Sequence, residues 1–229
     1  MCKKELESIC KKVACNLITM YPSDYSNMLI FPKLRGTLKV RISEQEARFS
    51  FASEIEKLKK YYYAVEVPTV NRYSDFSTNP KVYNMSTKGG RSGSIDLSLY
   101  EKDERDAPLV NIEFKSGQPK LTSITKDILK LLYEPCANSI FFHILEHTNP
   151  GTLESLIQKF NKSITKIRAR SIKFPKIEFP EILFFIVILE NDKSKSRYVS
   201  YCFDFSKNTE IVKKDFSHFS FCKDLDDVL

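Results

Sequence analysis

SIDLSLY (Ser94–Tyr100) and LVNIEFK (Leu109–Lys115) decide how this chain is read. Both runs alternate with period two, the pattern of half-buried strands, and the charged segment Glu101 to Ala107 between them is long enough to turn the chain. They predict a hairpin. If it is symmetric about the Glu104/Arg105 junction, Asp96 falls opposite Glu113, while Ile95, Leu97 and Leu99 share the other face with Val110, Ile112 and Phe114. Lys115 lies on the carboxylate face. Like charges directly across a strand pair are destabilising, so packing alone does not account for the arrangement. A bound divalent cation would.

Working outward, helices and strands frame the hairpin. Leu6, Ile9, Cys10, Val13, Leu17 and Ile18 make one apolar stripe on a helix ending before Pro22. Residues 21–42 read as an irregular connection with one short strand near Leu38 to Ile42. Ser43 followed by Glu46 is a capping box, opening a helix through about Tyr61 that turns Ala47, Phe51, Ile55 and Leu58 inward. Tyr62 to Thr69 alternates as a strand. Asn71 to Gly93, polar and rich in glycine, reads as a long loop leading to the hairpin. Ser116-Gly117-Gln118-Pro119 breaks the chain after the hairpin. A helix from about Thr122 to Tyr133 follows, then an apolar strand Asn138 to Glu146, a helix Thr152 to about Arg170 and a fully buried strand Glu181 to Leu189. Tyr198 to Phe205 and Phe216 to Cys222 complete the expected strands. The class is α/β with a mixed sheet flanked by helices. One domain, 1–229, is expected: an N-terminal helical extension (1–42), a core (43–146) and a C-terminal helix and strands (147–229).

Net charge of +7 with a pI near 9.0 favours a polyanionic partner, nucleic acid before anionic membrane. No basic tail stands out, so any patch must be made by folding. The cysteines at 2, 10, 15, 136, 202 and 222 lack zinc-site spacing and read as reduced thiols of a cytoplasmic protein. The N-terminus lacks a signal-peptide core, and the longest apolar run, Ile182 to Leu189, is too short for a membrane helix. GxSxG, P-loop and GxGxxG contexts are absent, which removes the commonest rival enzyme motifs.

With this order of elements, Ile95-Asp96 on one strand and Glu113-Phe114-Lys115 on the next resemble the signature of the PD-(D/E)XK nuclease superfamily. Ile95 stands where the name has Pro, at a variable position. The resemblance covers roughly residues 43–146. It implies a restriction-endonuclease-like fold with an αβββαβ core and a metal-dependent endonuclease that cuts nucleic acid, DNA ahead of RNA, in roles such as restriction or antiphage defence. Members commonly dimerise, so a homodimer is one implied arrangement. A catalytically inactive nucleic-acid-binding or protein-interaction module of the same fold is the alternative. The implied cofactor is Mg2+, with Mn2+ as a substitute, held by Asp96, Glu113 and the backbone carbonyl of Phe114. Two such carboxylates suit a hard cation that keeps water and phosphate as further ligands.

Lys115 then serves the attacking water and the developing charge. The helix contributes an auxiliary acid, ligating a second metal or acting through water, for which Glu44 and Glu46 are both candidates: Glu44, on the stripe of Ala47 and Phe51, is favoured, since Glu46 already has a capping role. Lys88 and Arg91, in the glycine-containing loop, and Gln118 are candidate nucleic-acid contacts. Arg48 and Asp127 read as solvated helix faces, His143 as a satisfied interior histidine, and Tyr61-Tyr62-Tyr63 as aromatic packing at a helix-to-strand junction.

Overall fold

The structure, a computed structural model, describes residues 1–21, 29–37, 39–74, 84–85, 91–103, 106–169, 181–212, 216 and 219–222. Helices α1 (Lys3–Met20) and α2 (Glu44–Leu58) precede strands β1 (Tyr61–Ser74), β2 (Asn84–Met85), β3 (Arg91–Glu101) and β4 (Val110–Ser116). Helix α3 (Leu121–Tyr133), β5 (Asn138–Glu146), α4 (Pro150–Arg168), β6 (Glu181–Leu189) and β7 (Arg197–Asp204) follow. One seven-stranded sheet has the order β2-β1-β3-β4-β5-β6-β7. Strands β4, β5 and β6 are parallel, joined through α3 and α4, and the other pairings are antiparallel. The protein is α/β, with a mixed sheet between two helical layers.

Alternation along the strands sorts the core into two faces. Leu97, Leu99, Val110, Ile112 and Phe114 pack with α1 and α2, where Phe51 sits edge-on to Phe114 and Phe142. Phe141, Phe184, Ile186 and Phe203 pack with α3 and α4 through Ile128, Leu156 and Phe160. Strand β6 is buried on both faces, as its continuous apolar run predicts. Among the described residues, no helix is long and apolar enough to cross a membrane.

Several expectations are corrected. Helix α2 stops at Leu58 rather than Tyr61, because Lys59 takes a left-handed conformation (φ 54°) that ends the helical run. Much of the expected loop 71–93 is sheet: β1 continues to Ser74, β2 occupies Asn84–Met85 and β3 begins at Arg91. Their sequence is polar, and tertiary bonds hold the end of β1. Buried Glu134 accepts from the Val70 and Asn71 amides (2.6 and 3.1 Å) and from the Tyr73 hydroxyl (2.7 Å). The short strand near Leu38 to Ile42 reduces, among described residues, to a bridge between Lys33 and Val40. Phe216–Cys222 likewise contributes only a bridge, from Ser220 to Tyr198.

Tyr62 and Tyr63 are exposed rather than core residues, Tyr62 lying under Lys102 and Tyr63 donating its hydroxyl to Glu56. Cys15 and Cys222 form a disulfide, with Cα atoms 5.5 Å apart, so these two are not reduced thiols. They are 207 positions apart, a separation that offers no spacing cue. Cysteine usage therefore does not identify the compartment.

Candidate functional site

Strands β3 and β4 pair at Leu97 with Ile112, Ser98 with Asn111 and Leu99 with Val110, the register the symmetric hairpin predicts. Beyond Leu97 a side chain replaces the ladder: Asp96 Oδ2 accepts the Phe114 amide proton at 2.8 Å. Behind this point the shared face carries a neutral pair, Ser98 Oγ donating to Asn111 at 2.7 Å. In front of it the face is charged.

Five elements supply these charges. Arg48 of α2 spans Asp96 (3.1 Å) and Glu66 of β1 (2.8 Å), and the Ser94 hydroxyl donates to the other Glu66 oxygen. Glu66 itself has φ 52°, an unusual value for a non-glycine residue, next to the register shift of β1 between Pro68 and Arg72. Lys115 contacts Asp127 of α3 at 3.0 Å and Glu44 of α2 at 3.7 Å, and donates to the Phe114 carbonyl at 2.7 Å. Lys130 of α3 sits against Glu113 and Asp127, and donates to the Ser94 carbonyl at 2.6 Å. The network thus has five carboxylates (Glu44, Glu66, Asp96, Glu113, Asp127) against three cations (Arg48, Lys115, Lys130).

Burial makes these charges interact strongly. Side-chain exposure is 1% for Glu113, 3% for Lys130, 5% for Asp127 and 12% for Lys115. Desolvation, reinforced by the like charges of Asp127 and Asp96, raises the Glu113 carboxyl well above the ordinary range, and Lys130 opposes the rise. Desolvation also raises Glu44, against the pull of Lys115. Burial favours a neutral Lys115, but Asp127 and Glu44 outweigh it and hold the ammonium above its ordinary value. The same balance, led by Asp127 and Glu113, keeps Lys130 charged. Glu113 Oε1 and Asp127 Oδ2 are fully buried and touch lysine ammonium groups without a well-directed hydrogen bond. Among the described residues, no three His, Cys, Asp or Glu side chains gather in a group that could hold a metal ion.

The structure brings together Asp96, Glu113, Lys115, Glu44 and the Phe114 peptide. Glu46 is turned elsewhere, its carboxylate taking the Ser43 hydroxyl. Arg48 and Asp127 are not solvated faces: both reach inward to the strand charges. Their positions carried a readable signal. Arg48 is one turn from Glu44 and three residues before Phe51, and Asp127 lies three after Ile124 and four before Leu131, on stripes that face the sheet. Lys130, three residues beyond Asp127, has no strand motif to announce it. Gln118 is exposed and accepts from Lys159 of α4 at 3.1 Å, away from the network. Arg91 opens β3, and Lys88 lies outside the described residues.

His143, beside Lys115 in the parallel register, is fully buried and bonds the Gly117 carbonyl through Nε2 at 2.9 Å. Burial pulls it down to about 4, so it is neutral near pH 7 and Nε2 carries the donated proton. Its Nδ1 has no hydrogen-bond partner, so it is an interior histidine satisfied on one side only.

Comparison with known proteins assigns no family. No family model matches the chain, and no curated protein does. Among solved structures, the central domain of yeast acetyl-CoA carboxylase aligns with 87% of this chain at 10% identity and a TM-score of 0.31. The chain spans 34% of that structure's length, and a likeness so distant carries no argument.

Proposed function

We propose that the chain is a divalent-cation-dependent phosphodiesterase of the PD-(D/E)XK type, acting on nucleic acid, with DNA ahead of RNA. The observation that carries this reading is the break in the β3–β4 ladder at Asp96, where Asp96, Glu113 and Lys115 meet Glu44 from the preceding helix. Support also comes from the order α2, β1, β3, β4, α3, β5, which parallels the αβββαβ core of restriction-endonuclease-like folds once the two-residue β2 is set aside.

The donor set suits a hard cation. Magnesium is commonly bound through one or two carboxylates, with water and substrate phosphate completing its shell, so a third protein acid is not required. Asp96 and Glu113 would provide the carboxylates and Phe114 the carbonyl, with Glu44 as the auxiliary acid. The bound ion would neutralise a nonbridging phosphate oxygen and acidify water. Lys115, held in its ammonium form, donates: it orients the attacking water and offsets charge developing on phosphate, rather than removing a proton. Asp127 keeps that ammonium in place at 3.0 Å.

The test is incubation of the purified chain with plasmid, single-stranded DNA and RNA in Mg2+ or Mn2+. Cleavage should stop with EDTA and in a folded Lys115→Ala variant. Persistence of cleavage under both conditions refutes the reading.

A second reading has its own observation: Lys130 already occupies Glu113, and Lys115 the Phe114 carbonyl, so the chain's own cations stand against two of the proposed metal ligands. On that reading the fold holds nucleic acid or a protein partner without cutting. Binding of the same substrates without turnover in either metal selects it. Homodimerisation is a proposal on either reading, checked by sedimentation.

A further inference from the structure

Lys130 rises from a helix into an almost closed chamber of oxygen atoms. Its ammonium touches Glu113 Oε1 and Asp127 Oδ1, the latter at 3.1 Å, and donates to the Ser94 carbonyl at 2.6 Å. An ammonium has three protons and here faces three oxygens, one of them the carbonyl to which it donates. Its aliphatic stem lies along Gly93, where an added side-chain carbon would stand 3.4 Å from Lys130 Cδ. Two carboxylates and a carbonyl are also what a hard metal ion selects. The chain has filled part of the proposed metal shell with a cation of its own.

We infer that Lys130 is a tethered counter-cation: it holds Glu113 before a divalent ion arrives and competes with that ion for Glu113 Oε1. The inference rests on the metal-dependent reading above and adds to it a residue that sets affinity. Two cations cannot share one buried carboxylate oxygen without strong repulsion, so the incoming ion must displace the Lys130 contact or work against it. Glu113, with 1% of its side chain exposed, has no route to water by which to avoid the competition. A lysine serving only to fold the chain would leave metal affinity unchanged or, by steadying Glu113, improve it.

The experiment titrates Mn2+ alone into the full chain at fixed pH and ionic strength, reading free Mn2+ by electron paramagnetic resonance. Lys130→Met, which keeps the stem and removes the charge, should bind at least about tenfold more tightly than the unaltered chain. Lys207→Met controls for net charge and should stay within about twofold, because its ammonium is solvent-exposed and pairs with Asp204 at the other end of the sheet. Binding by Lys130→Met where the unaltered chain shows none also supports the inference. Equal or weaker binding by folded Lys130→Met, with the unaltered chain binding normally, overturns it while leaving the metal reading intact. Absence of binding in both overturns the inference and the metal reading together. Should Lys130→Met fail to fold, Asp127→Asn is compared with Asp127→Asn/Lys130→Met, and the same tighter binding by the double variant is required.

Discussion

Asp127→Asn tests whether the charged network is the buried, tightly coupled unit its geometry describes. Asp127 is 5% exposed and bridges two ammonium groups, Lys115 through Oδ2 at 3.0 Å and Lys130 through Oδ1 at 3.1 Å. Removing one partner from a buried ion pair costs about 3–5 kcal/mol, because the remaining charge is left uncompensated. Three features reduce that figure here. The amide keeps one acceptor oxygen. Lys115 retains Glu44 and the Phe114 carbonyl, and Lys130 retains Glu113 and the Ser94 carbonyl. Asp127 also repels Glu113, and its loss relieves that strain.

The expected net loss is about 2–3 kcal/mol, a large share of the roughly 5–15 kcal/mol that holds a domain folded. Urea denaturation at neutral pH should show the midpoint falling by about 1 M with an unchanged slope. Lys195→Met is the control: its pair with Asp192 has the same i,i+3 spacing, at 3.3 Å, but the side chains are 73% and 52% exposed. Its loss should leave the urea midpoint essentially unchanged. An Asp127→Asn effect as small as the control's would refute the argument, since the network would then be screened by solvent.

His143 predicts acid sensitivity. Its folded value of about 4 lies below the ordinary 6.5, so the unfolded chain binds the proton first; the stability is whole above 6.5 and is lost as pH falls towards 4. The loss approaches about 3 kcal/mol, and His143→Gln should flatten that limb in urea midpoints taken across the range; parallel curves would refute the assignment. Glu113 and Glu44, raised by burial, act in the opposite sense, which is why the difference between the two proteins is the informative quantity. The Cys15–Cys222 bond closes a very long loop and should contribute about 2–4 kcal/mol, seen as a lower urea midpoint on reduction. A Cys15→Ser chain should be insensitive to reductant, and peptide mapping without reductant that finds both thiols free would refute the bond.

What could be read from the sequence follows from the period of each element. The two-residue period of Ile95–Leu99 and Leu109–Lys115 specified both the faces and the register, because a slip of one residue would have placed Leu97 and Ile112 among charges. The Glu44 assignment rested on the same logic applied to a helix. Residues that could not be read belong to helices whose polar members look like ordinary surface pairs. Asp127 and Lys130 have the spacing of a solvated i,i+3 pair, and the close approach of α3 to β3 and β4 buries them. The end of β1 was hidden for a related reason: Glu134, 60 and more residues away, supplies the acceptors that make Asn71 part of the sheet.

The composition of the β3–β4 face bears on why the network exists. Fold stability would be served by continuing the neutral Ser98–Asn111 pair forward, or by apolar residues against α3, since a buried ion network seldom outperforms a well-packed hydrophobic replacement. The chain instead interrupts a ladder at Asp96, buries Glu113 where its charge is disfavoured, and recruits lysines from β4 and α3 to compensate. Sequences break local rules of stability chiefly at functional or strained positions. The conflict gathers at one end of the β3–β4 pair, and the two neighbouring stretches of core are apolar. A function that requires oxygen donors and a fixed cation at one point accounts for this distribution, whereas a packing role would leave the charges without a reason to be buried.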